Sequence, residues 1–173
     1  MPLGELMGNK SDRVQQVSQI LKAAGLKSPV LKDIRSEIWL KLTGTLAFNP
    51  ISALTHATLE ELCTFPPTKE LVHSMMKEAE SIAKALGATI RLPLEKRIEG
   101  AARIKGHKTS MCQDIEKGRR TEIECVLGAV LELAELTSSN ATNLKCVYAC
   151  VKLLEFVVDR HHVSIKPLNR GAD

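Results

Sequence analysis

The stretch from Asp33 to Leu62, DIRSEIWLKLTGTLAFNPISALTHATLEEL, constrains this chain more than any other, because it sets three polar side chains along one side of an apolar helix. Lys41, Thr45 and Asn49 recur at i, i+4 and i+8 and therefore stack on one face, while Ile38, Trp39, Leu42, Leu46 and Phe48 supply packing elsewhere. Pro50 has no N–H with which to continue that helix, yet it suits the first turn of a second helix capped by Asn49. The spacing predicts a helix junction with a polar ladder leading to it. On spacing alone two readings stay open: a lysine that snorkels to water beside a solvated stripe, or a set of groups aimed at a ligand.

Helical spacing accounts for nearly every other apolar residue. Ser11 caps a helix to about Ala24, with Val14, Val17, Ile20, Leu21 and Ala24 on one stripe and Gly25 ending it. Thr58 caps a short helix that Pro66 and Pro67 stop, and Thr68 opens a long one through Leu71, Val72, Met75, Met76, Ala79, Ile82, Ala83 and Leu86, closed by Gly87. A helix from Pro93 to Ile104 and a short one from about Thr109 to Lys117 follow, with a turn at Gly118. Thr121 and Glu124 have capping-box spacing at the start of a helix to about Leu136, which leaves Glu122 free to face a partner. The last helix runs from about Ala141 to Asp159. Residues 1–10 read as an extended lead-in and residues 160–173 as a polar, basic, frayed end. Eight or so helical segments, without a convincing internal strand or a repeat, predict an all-α, compact multi-helix domain.

The totals exclude more than they assert. A formal charge of +4 is too mild to argue for nucleic acid, and 3% aromatics weigh against a stacking surface for single strands. No apolar run approaches the ~20 residues of a membrane helix, so a soluble, cytoplasmic protein is expected. Cys63, Cys112, Cys125, Cys146 and Cys150 form no CxxC pair and read as reduced, mostly buried thiols, with Cys146 and Cys150 one turn apart on a packed face. His56, His73 and His107 have no carboxylate or cysteine at ligand spacing along the chain, and His161 and His162 are adjacent, so no metal site is expected. Ser110 near His107 lacks the strand–turn–helix setting of a nucleophile elbow. Residues 91–120 carry nine Lys or Arg against four acids, which makes either a solvated face or a positive wall beside an anionic ligand. There is no GxGxxG and no GxxxxGK, hence no recognisable cradle for a dinucleotide or a nucleoside triphosphate.

Taken together, DIRSEIWLKL…NPISALT and, further on, KTSMCQDIEKGRRTEIE resemble the C-terminal helical domain of the ketopantoate reductase (2-dehydropantoate 2-reductase) family, over about Leu3 to Glu155. The paired motifs WxKL…NP and SMxQDxxxGRxTEI carry the resemblance. It implies the helical fold that ketopantoate reductases share with 6-phosphogluconate dehydrogenase-like enzymes. Residues 1–10 would be the remnant of an N-terminal Rossmann domain that binds NADPH, residues 11–160 the substrate-binding and dimerisation domain, and residues 161–173 a basic tail. The activity implied is NADPH-dependent reduction of the small 2-oxo acid ketopantoate to pantoate, for pantothenate synthesis. By the same resemblance Lys41 is the general acid, Thr45, Asn49, Ser110 and Glu122 hold substrate, and the chain without its nucleotide domain is inactive alone.

The chemistry of the residues agrees with that assignment, since a lysine in a partly apolar site both attracts charge developing on a ketone oxygen and delivers a proton. One position departs from the family pattern. Thr45 stands where family members commonly have Asn, keeping a hydroxyl but losing the amide's paired donor and acceptor. Gly44 beside it is a poor helix former that would let another backbone approach closely. A homodimer is expected, as is a possible separate nucleotide-binding partner. A free-standing, non-catalytic helical module for pairing or for binding a small acid is the alternative.

Overall fold

In a computed structural model the described residues are 1–161, and they form eight α-helices and one π turn. These are α1 (Asp12–Ala23), α2 (Ile34–Thr55), α3 (Leu59–Thr64), α4 (Pro66–Ala85), α5 (Leu94–Ala102), α6 (Ser110–Glu116), a π turn (Glu124–Gly128) running into α7 (Ala129–Leu136), and α8 (Thr142–His161). The all-α expectation holds among the described residues. The only extended pairing there is an isolated parallel bridge, in which Leu3 N–H donates to the Pro29 carbonyl at 2.9 Å and Leu31 N–H donates to that of Leu3 at 2.8 Å. Of the basic end anticipated from the sequence, Arg160 and His161 close α8, and residues 162–173 lie outside the described residues.

The central element is α2, which packs against α3, α4, α6, α8 and the π turn. Asp33 caps it by accepting from Ser36 N–H at 2.9 Å, and His56 ends it in the left-handed conformation. Contrary to the sequence expectation there is no break at Asn49: the helix runs through Pro50 for 22 residues. Proline removes the bond to the Leu46 carbonyl, at a typical cost of about 3 kcal/mol. Burial outweighs that loss, because Leu46, Ala47, Pro50, Ile51, Ser52 and Ala53 all lie in the core on both sides of the proline.

Three further expectations are corrected. Pro66 and Pro67 do not merely stop α3; they occupy the first turn of α4, where a missing N–H costs nothing, so that helix starts two residues before Thr68. The stripe on α1 is mostly unburied: Val14 is covered, whereas Val17 and Ile20 face outward. Cys146 and Cys150 are exposed, since α8 buries the neighbouring series Leu144, Val147, Val151 and Val158.

The Thr58–Glu61 capping box starts α3. The start of α8 is capped from another helix: the buried Glu78 of α4 accepts from the backbone N–H of Asn143 (3.0 Å) and Leu144 (3.0 Å) and from the Asn143 side-chain amide (2.7 Å). A carboxylate there neutralises orphan donors and the positive end of the helix together.

Glu78→Ala should therefore cost about 2–3 kcal/mol in urea unfolding, the penalty for leaving those N–H groups buried and unpaired. Acid should act at the caps. Hydrogen bonds from Ser36 hold the Asp33 carboxyl below its ordinary value of 3.8, and those from Thr58 hold Glu61 below 4.5. Depressed carboxylates contribute stability that is present above their unfolded values and lost as pH falls through the folded ones. Thermal melts should fall progressively below about pH 4, and the decline should be shallower in an Asp33→Asn, Glu61→Gln variant.

Candidate functional site

The unbroken α2 keeps Lys41, Thr45 and Asn49 in register over about 12 Å of helix. Lys41 is exposed, and Thr45 and Asn49 are half-buried. The Thr45 hydroxyl reaches back to the Lys41 carbonyl at 3.4 Å, a bond within the helix rather than toward a ligand. Ser110 is the first residue of α6, behind its cap Thr109, and is exposed; α6 packs directly on α2. Glu122 is exposed just before the π turn, which also packs on α2. Among the described residues, Lys41, Asn49, Ser110 and Glu122 make no side-chain hydrogen bond or ion pair, so Lys41 and Asn49 share α2 while no such bond ties Ser110 or Glu122 to them.

The segment before Glu122 is held differently from the expected capping box. Thr121 donates both its N–H and its hydroxyl to Glu155 Oε1 of α8 at 2.7 Å, and its oxygen accepts from Ile123 N–H at 3.2 Å. Glu124 is not the reciprocal partner. Its carboxylate instead accepts from Tyr148 Oη at 2.8 Å and pairs with Lys152 at 3.0 Å, contacts that hold it below the ordinary carboxylate range. The i+3 geometry of a capping box needs an α-helical first turn, and this one is a π turn.

Two features were not visible in the sequence. Of the basic stretch 91–120, Arg97 comes to α2: its guanidinium lies where a side chain at Gly44 would be, with Nη2 2.8 Å from the position a Cβ there would take. Gly44 admits a side chain rather than the anticipated backbone. Arg97 Nη1 is buried without a hydrogen-bond partner, and burial lowers the affinity of this group for its proton. The second feature joins α2 to α6. His56 Nδ1 lies 3.3 Å from Glu116 Oε1, Cys112 Sγ lies 3.8 Å from the same oxygen, and Lys108 Nζ pairs with it as well. Chain spacing hid this cluster because His56 is 60 residues from Glu116. Burial pushes the Cys112 thiol up, while Lys108 draws the Glu116 carboxyl down.

Residues 33–155 match the family model described as ketopantoate reductase PanE/ApbA C terminal. The chain belongs to this family. It is 44% identical over 152 residues to a 2-dehydropantoate 2-reductase of Mesorhizobium japonicum, covering 88% of this chain and 47% of that protein. A Nostoc 2-dehydropantoate 2-reductase is 29% identical over 84% of this chain and 46% of its own length. The chain thus spans about half the length of the relatives it matches. The crystal structure of 2-dehydropantoate 2-reductase from Methylococcus capsulatus superposes with a TM-score of 0.80 at 29% identity, over 96% of this chain and 52% of that one. D-mandelate dehydrogenase, solved with NADH, shares the fold with a TM-score of 0.83 at 19% identity, covering 91% of this chain and 54% of its own. Among the described residues no helix is long and apolar enough to cross a membrane.

Gly44→Ala should change unfolding free energy by less than about 1 kcal/mol, because the gain in helix propensity offsets the shift forced on a flexible guanidinium. Thermal unfolding checks this, and a loss above that range would mean that Arg97 has no alternative seat.

Proposed function

We propose that this chain is the substrate-binding and subunit-pairing half of an NADPH-dependent 2-dehydropantoate 2-reductase, reducing ketopantoate to pantoate when a nucleotide domain completes it. The observation that carries this reading is the unbroken α2, which presents the exposed Lys41 in register with Asn49, beside α6, which bears Ser110, and the π turn, which Glu122 precedes by two residues. The described residues hold no glycine-rich cradle for a dinucleotide, which supplies the hydride when bound, so this chain's share is to hold the acid and deliver the proton. The Lys41 ammonium donates to the oxygen on which charge develops. Asn49, Ser110 and Thr45 position the substrate, and Glu122 accepts from its hydroxyl. The Arg97 guanidinium, held against Gly44 one turn from Lys41, supplies positive charge for the carboxylate.

The parallel pairing of Leu3 with Val30 supports reading residues 1–10 as the way out of a Rossmann domain. Val17, Ile20 and Ile38, exposed on α1 and α2, supply apolar surface for a domain or a second copy to cover, and we expect a cytoplasmic homodimer. A ketopantoate reductase of Staphylococcus aureus with the same fold is described as dimeric. The Thr45 hydroxyl, spent on the Lys41 carbonyl, favours the second reading, a non-catalytic module that retains the fold.

NADPH oxidation with ketopantoate decides between them, using this chain alone and mixed with the nucleotide domain of the Mesorhizobium relative. Turnover is expected only in the mixture, falling by about 10²–10⁴-fold in Lys41→Ala, with Glu122→Gln raising KM. No turnover in a mixture shown to bind both NADPH and this chain would establish the non-catalytic reading.

A further inference from the structure

The cluster at the foot of α2 takes no part in the proposed reduction, yet its geometry is specific. Cys112 and Glu116 stand one turn apart on α6 and so project from one face. His56 faces them from the left-handed turn that ends α2, its own N–H fixed to the Ser52 carbonyl at 2.8 Å. One ligand atom from each, an imidazole nitrogen, Sγ and a carboxylate oxygen, lies within 4.8 Å of the other two, and His56 Nδ1 and Cys112 Sγ lie 3.3 and 3.8 Å from Glu116 Oε1. Ligands on a tetrahedral ion with bonds of about 2.0–2.3 Å sit about 3.3–3.7 Å apart along each edge. One edge of the triangle is therefore already formed and a second is slightly long, and a rotation of the Cys112 thiol is what closes the rest.

We propose that His56, Cys112 and Glu116 form a binding site for a borderline-soft divalent cation of the zinc class, tying the end of α2 to α6. Sulfur and imidazole together select such an ion over calcium or magnesium, which take oxygen. Binding breaks the S–H bond of Cys112 and releases its proton to water, leaving the thiolate on the metal. The Lys108 ammonium, which holds Glu116 in the metal-free chain, turns outward; its side chain is 27% exposed, so water receives it without rearrangement of the core. A water fills the fourth position on the side where His56 meets solvent. The ion would bridge the two helices that carry Asn49 and Ser110: His56 lies two turns beyond Asn49, and Cys112 two residues beyond Ser110.

Cobalt(II) is the probe, titrated into the chelator-treated chain and read by the thiolate-to-cobalt charge-transfer band in the near ultraviolet and the visible bands of a tetrahedral ion. One equivalent should bind, zinc should displace it, and His56→Ala and Glu116→Gln should each weaken binding at least about tenfold. Lys108→Met should tighten binding, because it removes the ammonium that competes for Glu116. The exposed pair Cys146 and Cys150 is the control, and the band should survive its conversion to serine. Cys112→Ser should abolish the band; if that variant fails to fold, the His56 and Glu116 variants, altered at partly exposed positions, carry the test. A chain that gives no charge-transfer band, or one whose band survives the His56 and Glu116 changes or vanishes with Cys146 and Cys150, overturns the proposal and leaves the cluster as an ion-pair network.

Discussion

The continuity of α2 through Pro50 is the constraint on which the rest depends. Had the chain broken at Asn49, the second half would have been free to leave the axis of the first, and the ladder from Lys41 would have ended at a hinge. Instead the core grips the helix on both sides of the proline, with Leu46 and Ala53 fully buried, and the lost backbone bond is absorbed. Five other segments take their positions from this one rod, among them α6, which bears Ser110, and the π turn that follows Glu122.

Carboxylates reaching from one helix to another fix the relative placement of those segments. Glu78 of α4 binds the first turn of α8, and Glu155 of α8 binds Thr121, next to Glu122. The same helix is thus held at one end and holds the candidate site near the other. Each contact is directional, unlike the apolar packing around it, so these bonds set register where hydrophobic contact sets only proximity. An error in seating α8 would be passed through Glu155 to the segment before Glu122.

Much of this was legible in the sequence where a signal is local. Ser11, Thr58 and Thr109 cap their helices as their chemistry requires, Gly25, Gly87 and Gly118 turn with positive φ, and the helical class follows from apolar spacing. Local rules failed where tertiary burial competes with them. Pro50 reads as a helix start until Ala47 and Ile51 are known to be buried around it, and Glu124 reads as a cap until Tyr148 and Lys152 are brought to it. Cys146 and Cys150 mislead for another reason: small residues at helical spacing mark a stripe but not which side of it faces the core. Of the candidate site, Lys41, Thr45 and Asn49 were readable because they share a helix. The seat of Arg97 at Gly44 and the approach of His56 to Glu116 join distant parts of the chain, and no spacing rule reaches them.

The π turn at Glu124–Gly128 carries one residue more than an α-helix would use for the same rise. That extra residue acts as a phase setting. Winding the same residues as a regular α-helix, with none removed, would spend the extra residue as added rotation and turn everything on its N-terminal side by most of one residue's ~100° relative to α7. Thr121 would then turn away from Glu155, although no side chain had been altered. A single deletion between residues 124 and 128 has the opposite effect: the turn closes to an α turn of the same rise, and this is the place where the helix can lose a residue and keep its aim.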